Sequence, residues 1–242
     1  MHDTAMAIGE RFFRSYGSDG RRFIVEIGSQ DINGSLRVHA TENDVYIGVD
    51  VVHGHGVDVV VKVDSPLPFR DNIADFVLSS SQLEHDPFFW NTFLEFSRIT
   101  KPGGFIYINA PSNGSYHRFS EDIWRFYPDA GKVLERWARK CGFNMTLIES
   151  FTALRRDDQW NDFVAIFCNG APNEKQQLIC DEIDCINITT FRSDEVGRLQ
   201  SSTEDMQIIA ELRARVVELE SELHRGKMAP PTVSEDVVAP LP

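Results

Sequence analysis

Short apolar runs rich in β-branched residues recur along the first 170 residues, and they limit the possible folds more than any other feature. Seven such runs stand between polar or amphipathic stretches, and they read FIVEI, VYIGV, VDVVVKV, ADFVLSS, FIYINA, MTLIES and DFVAIFC. Their length and β-branching favour strands, and their nearly continuous apolar character is typical of strands buried on both faces. We therefore predict an α/β fold with a doubly wound, mostly parallel, seven-stranded sheet.

The stretches between these runs supply helices to cover the sheet. Residues 4–16 can form a short amphipathic helix, and residues 87–100 and 128–142 are two further helix candidates. Pro128 near the start of the last candidate and Gly142 at its end are typical of helix boundaries.

The pattern changes after Cys168, where a linker-like stretch begins. Further on, apolar residues recur at alternating spacings of three and four, as in a coiled-coil seam, at Ile209, Leu212, Val216, Leu219 and Leu223. This pattern predicts a C-terminal helical extension. The helix either packs on its own domain or pairs with a second copy of the chain or a partner helix.

These observations divide the chain into four predicted parts. We expect the α/β domain at residues 1–170, a linker or irregular extension at 171–202, an amphipathic helix or short coiled coil at 203–226, and a disordered tail at 227–242.

Charge and hydropathy disfavour two classes of partner. The formal net charge is −13, which argues against binding to nucleic acid. No apolar run reaches the length of about 18 residues that a membrane-spanning helix needs, so we predict no membrane span.

Cysteine and histidine spacing gives no sign of a metal site. The chain has four cysteines, Cys141, Cys168, Cys180 and Cys185. They form no C-x-x-C pair, and no cluster with histidine has zinc-ligand spacing. His53 and His55 lie two positions apart without an evident third ligand. We therefore predict no bound metal, reduced thiols and a cytoplasmic location.

The loop after the first apolar run, GSQDINGS, is the first candidate for ligand binding, because ligands of open parallel sheets lie beyond the carboxyl ends of the strands. Gly28 and Gly34 permit tight turns, and a helix after the loop would direct free N–H groups at a ligand. Gln30, however, stands where a dinucleotide motif has its second glycine. Glu26, just before the loop, would repel a pyrophosphate but suits a cationic group.

Acids at the ends of the next two runs complete the pattern. S-adenosylmethionine carries an ammonium group and a sulfonium but no phosphate, so it suits Glu26. Asp50, about twenty residues further on, can accept both ribose hydroxyls, and Asp64 can accept the adenine amino group.

Four motifs in register then carry a family resemblance. They are VEIGSQDINGS, YIGVD, VDSPLPFRDNIADFVLSSSQLEHD and ITKPGGFIYINAP, and together they span residues 22–111. In this order they resemble the class I S-adenosylmethionine-dependent methyltransferases. The resemblance implies a Rossmann-like methyltransferase fold with S-adenosylmethionine as cofactor. The cofactor-binding residues that we predict are Glu26, Gly28, Ser29, Gln30, Gly34, Asp50, Val51, Asp64, Ser80, Ser81 and Leu83.

Catalytic and acceptor-binding residues are expected in the loops after the fourth and fifth runs. His85 and His117 are candidate general bases, since the pKa of histidine lies near neutrality, although His85 can equally cap or pack the next helix. The long loop PSNGSYHRFSEDIWRFYP should overhang the cavity. Its side chains suit a sugar ring or an anionic group, and the candidates are Tyr116, Arg118, Trp124 and Arg125. Trp124 can equally anchor the loop to the core.

We predict an S-adenosylmethionine-dependent methyltransferase that acts on oxygen of a small-molecule, sugar or glycan acceptor. The form of the first loop, together with SYHRFSEDIWRFYPDA, is similar to methyltransferases associated with bacterial surface-glycan biosynthesis. The alternative is a noncatalytic member of the fold that serves as a scaffold in a glycan-assembly complex. A nicotinamide-dependent enzyme is disfavoured because G-x-G-x-x-G and Tyr-x-x-x-Lys are both absent.

Overall fold

A computed structural model of the chain describes residues 3–17, 20–119, 121–155 and 160–228, with side chains up to residue 225. From residue 229 onward, the tail predicted at 227–242 lies outside the described residues. Residues 1–200 form one compact unit, and residues 201–242 are assigned to a second.

The first unit alternates strands and helices. Its helices are α1 (Asp3–Tyr16), α2 (Phe89–Ile99) and α3 (Asp129–Lys140). Its strands are β1 (Phe23–Ile27), β2 (Val45–Asp50), β3 (Val59–Val60), β4 (Ala74–Ser80), β5 (Thr100–Pro111), β6 (Met145–Ala153), β7 (Asp162–Asn169), β8 (Cys185–Thr190) and β9 (Ser193–Gly197). Short 3-10 helices form at Leu36–His39, Leu83–His85 and Ile179–Asp181. The second unit contains α4 (Glu204–Met228).

All nine strands join one sheet in the order β3-β2-β1-β4-β5-β7-β6-β8-β9. Pairs among β1 to β5 are parallel, whereas β7, β6, β8 and β9 are added by antiparallel pairing. The prediction of an α/β Rossmann-like sheet is confirmed, but the predicted number of seven strands was wrong.

Two strands from residues 171–202 account for the difference. β8 pairs with β6, whose other neighbour is β7, so β6 is an interior strand and not the edge of the sheet. An uncovered edge presents unpaired N–H and C=O groups, and pairing with β8 satisfies those of β6. The sequence LICDEIDCINITTF mixes acids with apolar residues and lacks a clear period, which is why it suggested no strand.

The opposite edge is shorter than expected. The run VDVVVKV predicted a strand of seven residues, but only Val59 and Val60 pair with β2. Beyond them Val63 is 61% exposed, as befits a chain that leaves the sheet at its margin.

Helices cover both faces, which confirms the three helices predicted in this unit. On one face α2 and α3 pack on the strands through Phe93, Phe96 and Leu134. On the other face α1 packs through Phe12, whose ring lies 4.9 Å from that of Tyr107 on β5. The parallel strands therefore have two apolar faces, and their carboxyl ends are left to carry polar residues.

A buried carboxyl group ties the added edge to α1. Glu149 on β6 is fully buried and accepts hydrogen bonds from the Tyr16 hydroxyl at 2.5 Å and from the N–H groups of Ile179 and Cys180, both at 2.9 Å. Burial raises the pKa of Glu149, while these donors favour the ionised form. The three bonds join α1, β6 and the segment that leads into β8.

Within the described ranges, none of the helices combines the length and apolar character needed to cross a membrane.

Candidate active site

A cavity of about 690 Å³ opens at the carboxyl ends of the parallel strands. Its lining comes from the ends of β1, β2, β4 and β5 and the loops after β1 to β5, with Thr92 and Glu95 from α2 and Trp160 from the segment before β7. Among the described residues that line it, the acids are Glu26, Asp50, Asp64, Glu84, Asp86 and Glu95, and Lys62 is the single lysine or arginine. Such a lining favours a cationic ligand and disfavours a pyrophosphate.

Glu26 lies near the end of β1 with only 2% of its surface exposed. Its Oε2 accepts a hydrogen bond from the Tyr46 hydroxyl at 2.9 Å. Burial raises the pKa of Glu26 to about 7, and the charges of Asp31 and Asp50 act in the same direction, against the Tyr46 bond and Arg37. A cation entering the cavity would favour the ionised carboxylate.

Close packing fixes the loop after β1. Gly28 has φ +78°, and its N–H donates to the Val49 carbonyl at 2.9 Å. A Cβ at this position would lie 2.5 Å from the Cβ of Gln82, so only glycine fits. Ser29 is buried beside it, and its hydroxyl has no hydrogen-bond partner within the described part of the chain.

Gln30 does not disrupt the loop. Its N–H donates to Asp50 Oδ2 at 3.0 Å, and its side chain turns towards Gly54, where a Cβ would lie 2.5 Å from the Gln30 amide nitrogen. Gly34 closes the loop at φ +120°, with its N–H on Asp31 Oδ1 at 2.9 Å. The loop therefore keeps its shape without the second glycine of a dinucleotide motif.

The α-helix expected after this loop does not form. The chain makes only the 3-10 helix Leu36–His39, and the polar turn that follows gives its backbone other partners. Asp44 accepts a hydrogen bond from the Thr41 N–H at 2.7 Å and pairs with Arg22. Such side-chain bonds to the backbone compete with helix continuation.

Asp50 joins the loops after β1 and β2. Besides the Gln30 N–H on Oδ2, its Oδ1 accepts the Val51 N–H at 2.7 Å and the Val52 N–H at 3.4 Å. A carboxylate has about four acceptor sites, so capacity remains for a ligand hydroxyl. Val51 also lines the cavity.

The remaining predicted cofactor residues fall into two groups. Asp64 lines the cavity from an exposed turn at φ +59°, and Ser80 and Ser81 line it at the end of β4. Leu83 is 1% exposed and packs in the core beneath α2 and α3, away from the cavity wall.

The cavity wall also brings together Glu84, His85 and His117, which follow β4 and β5. Glu84 is 1% exposed, and within the described residues neither of its carboxylate oxygens has a hydrogen-bond partner. Burial raises the pKa of Glu84 to about 8 and lowers that of His85. His85 Nε2 lies 3.7 Å from Glu84 Oε1, and the rings of His85 and His117 lie 5.1 Å apart.

Main-chain bonds hold the loop after β5 over this cluster. The Glu84 carbonyl accepts N–H bonds from Ile123 at 2.8 Å and Trp124 at 3.1 Å. The indole N–H of Trp124 donates to the Asp86 carbonyl at 2.9 Å, and His85 Nδ1 contacts the Glu121 carbonyl. Trp124 thus fastens the loop and does not line the cavity.

The other three predicted acceptor residues also lie outside the cavity wall. Arg125 is paired with both oxygens of Asp122 at 2.6 and 2.8 Å, and it holds the pKa of that carboxyl at about 2. Tyr116 is 72% exposed, and Arg118 is exposed beside it.

Two aromatic side chains that the sequence did not single out line the cavity instead, Phe119 and Trp160. The Trp160 ring lies 4.9 Å from that of His117 and against Gly114, where a Cβ would lie 2.0 Å from it. Trp160 is 43 residues away from His117 (160 − 117), so no local pattern connects them. Glu84 lies in the motif VDSPLPFRDNIADFVLSSSQLEHD, but its burial gave no signal in the sequence.

Comparison with known proteins places this site in context. Residues 31–108 match a family model described as a methyltransferase domain. An uncharacterized methyltransferase of Mycobacterium leprae is 31% identical over 122 residues, 44% of each chain. One from Mycolicibacterium paratuberculosis is 28% identical over 158 residues, 58% of this chain and 59% of the relative. The chain thus spans about half the length of these curated relatives.

Solved structures share the fold at low identity. A Burkholderia thailandensis 1,6-didemethyltoxoflavin-N1-methyltransferase, with its substrate and S-adenosylhomocysteine bound, aligns over 69% of this chain and 79% of its own, with a TM-score of 0.54 and 15% identity. The [4+2]-cyclase SpnF aligns over 69% of this chain and 82% of its own, with a TM-score of 0.51 and 14% identity. The family match and the named relatives support a methyltransferase domain in this chain.

Proposed function

We propose that this methyltransferase domain transfers the methyl group of S-adenosylmethionine to an oxygen atom of a small-molecule, sugar or glycan acceptor. One observation carries the proposal. Glu26, Asp50 and Asp64, at or after three successive strands, line the same cavity as Glu84 and the two histidines. We assign the first set, called the acidic side, to a cation, and the second set, called the acceptor side, to an acceptor.

The acidic side fits the cofactor in charge and in donors and acceptors. Glu26 would bind the ammonium group, Asp50 the ribose hydroxyls and Asp64 the adenine amino group. The unpartnered Ser29 hydroxyl offers a further contact at the loop after β1. When bound, the cofactor supplies an electrophilic methyl group on a sulfonium, so the protein needs mainly to position the acceptor and exclude water.

The acceptor side of the cavity accepts the proton that the acceptor hydroxyl loses. With the acceptor oxygen held beside the bound cofactor, the cofactor would supply the methyl group and would keep the S–CH₃ electron pair on sulfur. The hydroxyl proton passes to a ring nitrogen of His85 or His117, both of which line the cavity. Phe119 and Trp160 give flat apolar surfaces suited to a sugar ring. The loop after β5 shields the reacting atoms from water.

Calorimetry with S-adenosylhomocysteine tests the cofactor half of this proposal. We expect one molecule to bind per chain, and Asp50→Ala to weaken binding about 100-fold, since it removes ribose contacts and loosens two loops at once. Glu42→Ala, an exposed acid outside the cavity wall, is the control and should leave binding unchanged. Absence of binding to the wild-type protein would refute the proposal.

Measurement of turnover tests the acceptor half of the proposal. Methyl transfer from labelled S-adenosylmethionine to a panel of hydroxylated acceptors should depend on the acceptor side of the cavity. Binding without transfer to any hydroxyl compound would contradict O-methylation, which matters because the fold is shared with a cyclase.

We also propose that α4 pairs with a second copy of itself. Its seam residues are 46% to 61% exposed, at Ile209, Leu212, Val216, Leu219 and Leu223. Exposed apolar residues at alternating spacings of three and four are the pattern of a coiled-coil interface. Sedimentation of the full chain should show a dimer that Leu212→Glu dissociates. A wild-type monomer at high concentration would contradict self-pairing.

A further inference from the structure

Glu84, His85 and His117 form a compact cluster of candidate metal ligands, although His117 is distant from the other two in the sequence. Each residue offers one ligand atom, and the three atoms lie within 4.8 Å of one another. Two residues come from the 3-10 helix after β4, and the third comes from the loop after β5, which main-chain bonds fasten to that helix. Two imidazoles and one carboxylate are a frequent ligand set of Zn²⁺ and Fe²⁺ sites with open coordination positions.

The carboxylate oxygens of Glu84 are left unsatisfied in this cluster. Both carboxylate oxygens of Glu84 are fully buried in a residue that lines the cavity, and no hydrogen bond to either is made within the described residues. An unsatisfied buried carboxylate is costly, and buried charges are normally paired or bound to metals. His85 Nε2 lies 3.7 Å from Glu84 Oε1, which is too far for a hydrogen bond, and besides the Glu84 main-chain N–H no described residue donates to this carboxyl group.

The surroundings orient the histidines for ligation. His85 Nδ1 contacts the backbone carbonyl of Glu121, so a proton on Nδ1 would leave the lone pair of Nε2 facing Glu84. Metal-binding histidines usually donate their second ring N–H to a carbonyl or carboxylate in this way. The main-chain N–H of His117 donates to Asp122 at 2.8 Å, which fixes the backbone that presents the ring.

We propose that Glu84, His85 and His117 form a binding site for one divalent transition-metal cation, open towards the cavity. The cation would lie about 2.1 Å from each ligand, which requires ligand atoms about 3.4 Å apart in a tetrahedral arrangement. The cluster reaches this spacing by a shift of about an ångström, and His117 has room for it, since its side chain is 37% exposed on a loop. The expectation of no bound metal rested on ligand spacing along the chain, and the two histidines of this site are 32 residues apart (117 − 85).

The inference deepens the proposed function and rests on it for the role of the cation. A cation with an open position would bind the acceptor hydroxyl and promote loss of its proton to water, as metal ions do for bound water. The acceptor class is then a hydroxyl compound that can coordinate the cation, such as a vicinal diol. With the cation bound, the two histidines would serve as ligands and water would accept the proton; without the cation, a histidine would accept it.

Titration of the full chain with Co²⁺ tests the site directly. After removal of any affinity tag and treatment with a chelator, we expect one Co²⁺ per chain, with visible absorption bands of nitrogen–oxygen ligation and displacement by Zn²⁺. Glu84→Gln and His117→Ala should each weaken Co²⁺ binding at least tenfold. His224→Ala removes an exposed imidazole in α4, outside the site, and should have no effect.

Two further measurements keep the result decisive. Binding of S-adenosylhomocysteine by each variant shows that it is folded, and it also tests the proposed function separately from metal binding. In the wild-type protein, Co²⁺ should broaden the ring-proton NMR signals of His85 and His117 before those of the other histidines. Absence of binding below about 1 mM, or equal binding by all variants, would overturn the metal site even if the cofactor binds.

Discussion

Glu149 on β6 and Glu26 on β1 are buried on the same face of the sheet, and each accepts a hydrogen bond from a tyrosine hydroxyl. They differ in what else surrounds the carboxyl group. Glu149 has two further donors, the N–H groups of Ile179 and Cys180, and lies away from the cavity wall. Glu26 faces the cavity, so its remaining acceptor capacity is directed at a ligand.

The comparison shows that two buried carboxyl groups differ in how far the fold satisfies them: Glu149 is occupied by three donors, whereas Glu26 keeps acceptor capacity in the cavity wall. Glu84 extends the series, because it is as buried as Glu149 and yet has no hydrogen-bond donor among the described residues. Burial raises the pKa of all three groups, so the direction of the pKa shift does not distinguish them. The number and identity of the donors do.

The largest expected effect concerns the structural carboxyl. Glu149→Ala leaves three buried donors without a partner, and we expect a loss of about 3 kcal/mol or more in the free energy of unfolding. Urea denaturation measures it. Glu195→Ala on β9 is exposed and should change stability by no more than about 0.5 kcal/mol. A loss below about 1 kcal/mol for Glu149→Ala would mean that the three bonds do not hold the added edge.

Gly28→Ala, with Gly103→Ala as its matched control, tests whether the loop after β1 contacts the cofactor. Gly28 and Gly103 both have φ +78°, but a Cβ at Gly28 would lie 2.5 Å from Gln82, whereas one at Gly103 has no atom within 4 Å. Both variants should lose about 1 kcal/mol through backbone strain. Gly28→Ala should in addition weaken S-adenosylhomocysteine binding about 100-fold by displacing the loop. Equal affinities in calorimetry would show that the loop does not contact the cofactor.

Much of the parallel half was predictable because its signals are local. The runs FIVEI and ADFVLSS became β1 and β4, and the acids after the first three runs line one cavity, since parallel strands bring their carboxyl ends to one edge. β8 could not be predicted in this way, because its pairing depends on the tertiary placement of β6.

The acceptor side of the cavity was harder to predict from the sequence, because it too depends on tertiary contacts. His85 and His117 were chosen by residue type and do line the cavity, whereas Arg125 is occupied by Asp122. That ion pair and the burial of Glu84 arise from how the loop after β5 folds onto the 3-10 helix after β4. Residue type alone does not tell a ligand-facing arginine from one that braces its own loop.

Glu26→Gln sharpens the comparison through pH. The pKa of Glu26 is raised from 4.5 to about 7 in the folded protein. Between these values the unfolded chain is ionised at Glu26 and the folded protein is not, so a rise in pH favours the unfolded chain. Through this group the stability of the wild type should therefore fall as pH rises from about 5 to 7, by at most roughly 3 kcal/mol. Glu84 and Glu149, whose pKa values are also raised, act in the same direction, so Glu26→Gln should make the fall smaller by the share of Glu26 and leave theirs. Thermal unfolding across this pH range measures the difference.

Cofactor affinity should change in the opposite direction. An ammonium group binds the ionised carboxylate, so affinity for S-adenosylhomocysteine should rise with pH up to about 7 and then level off. Glu26→Gln should flatten this profile and weaken binding about tenfold at pH 8, since it removes a charge-assisted hydrogen bond worth roughly 1.5 kcal/mol. Identical profiles for the variant and the wild type would place the ammonium group elsewhere.

Gln30→Gly should have the smallest effect, although it restores the second glycine of a dinucleotide motif. The Gln30 N–H that binds Asp50 remains in the variant, and the lost side chain lies against Gly54 with its carbonyl oxygen unpartnered among the described residues. We expect affinity for S-adenosylhomocysteine within about threefold of the wild type and a loss of about 1 kcal/mol in stability, because glycine gains freedom in the unfolded chain. Calorimetry and urea denaturation measure the two quantities. A gain in affinity of tenfold or more would show that the glutamine side chain obstructs the cofactor. Cofactor affinity would then be limited by Gln30 and not only by the hydrogen bonding of the buried carboxyl groups.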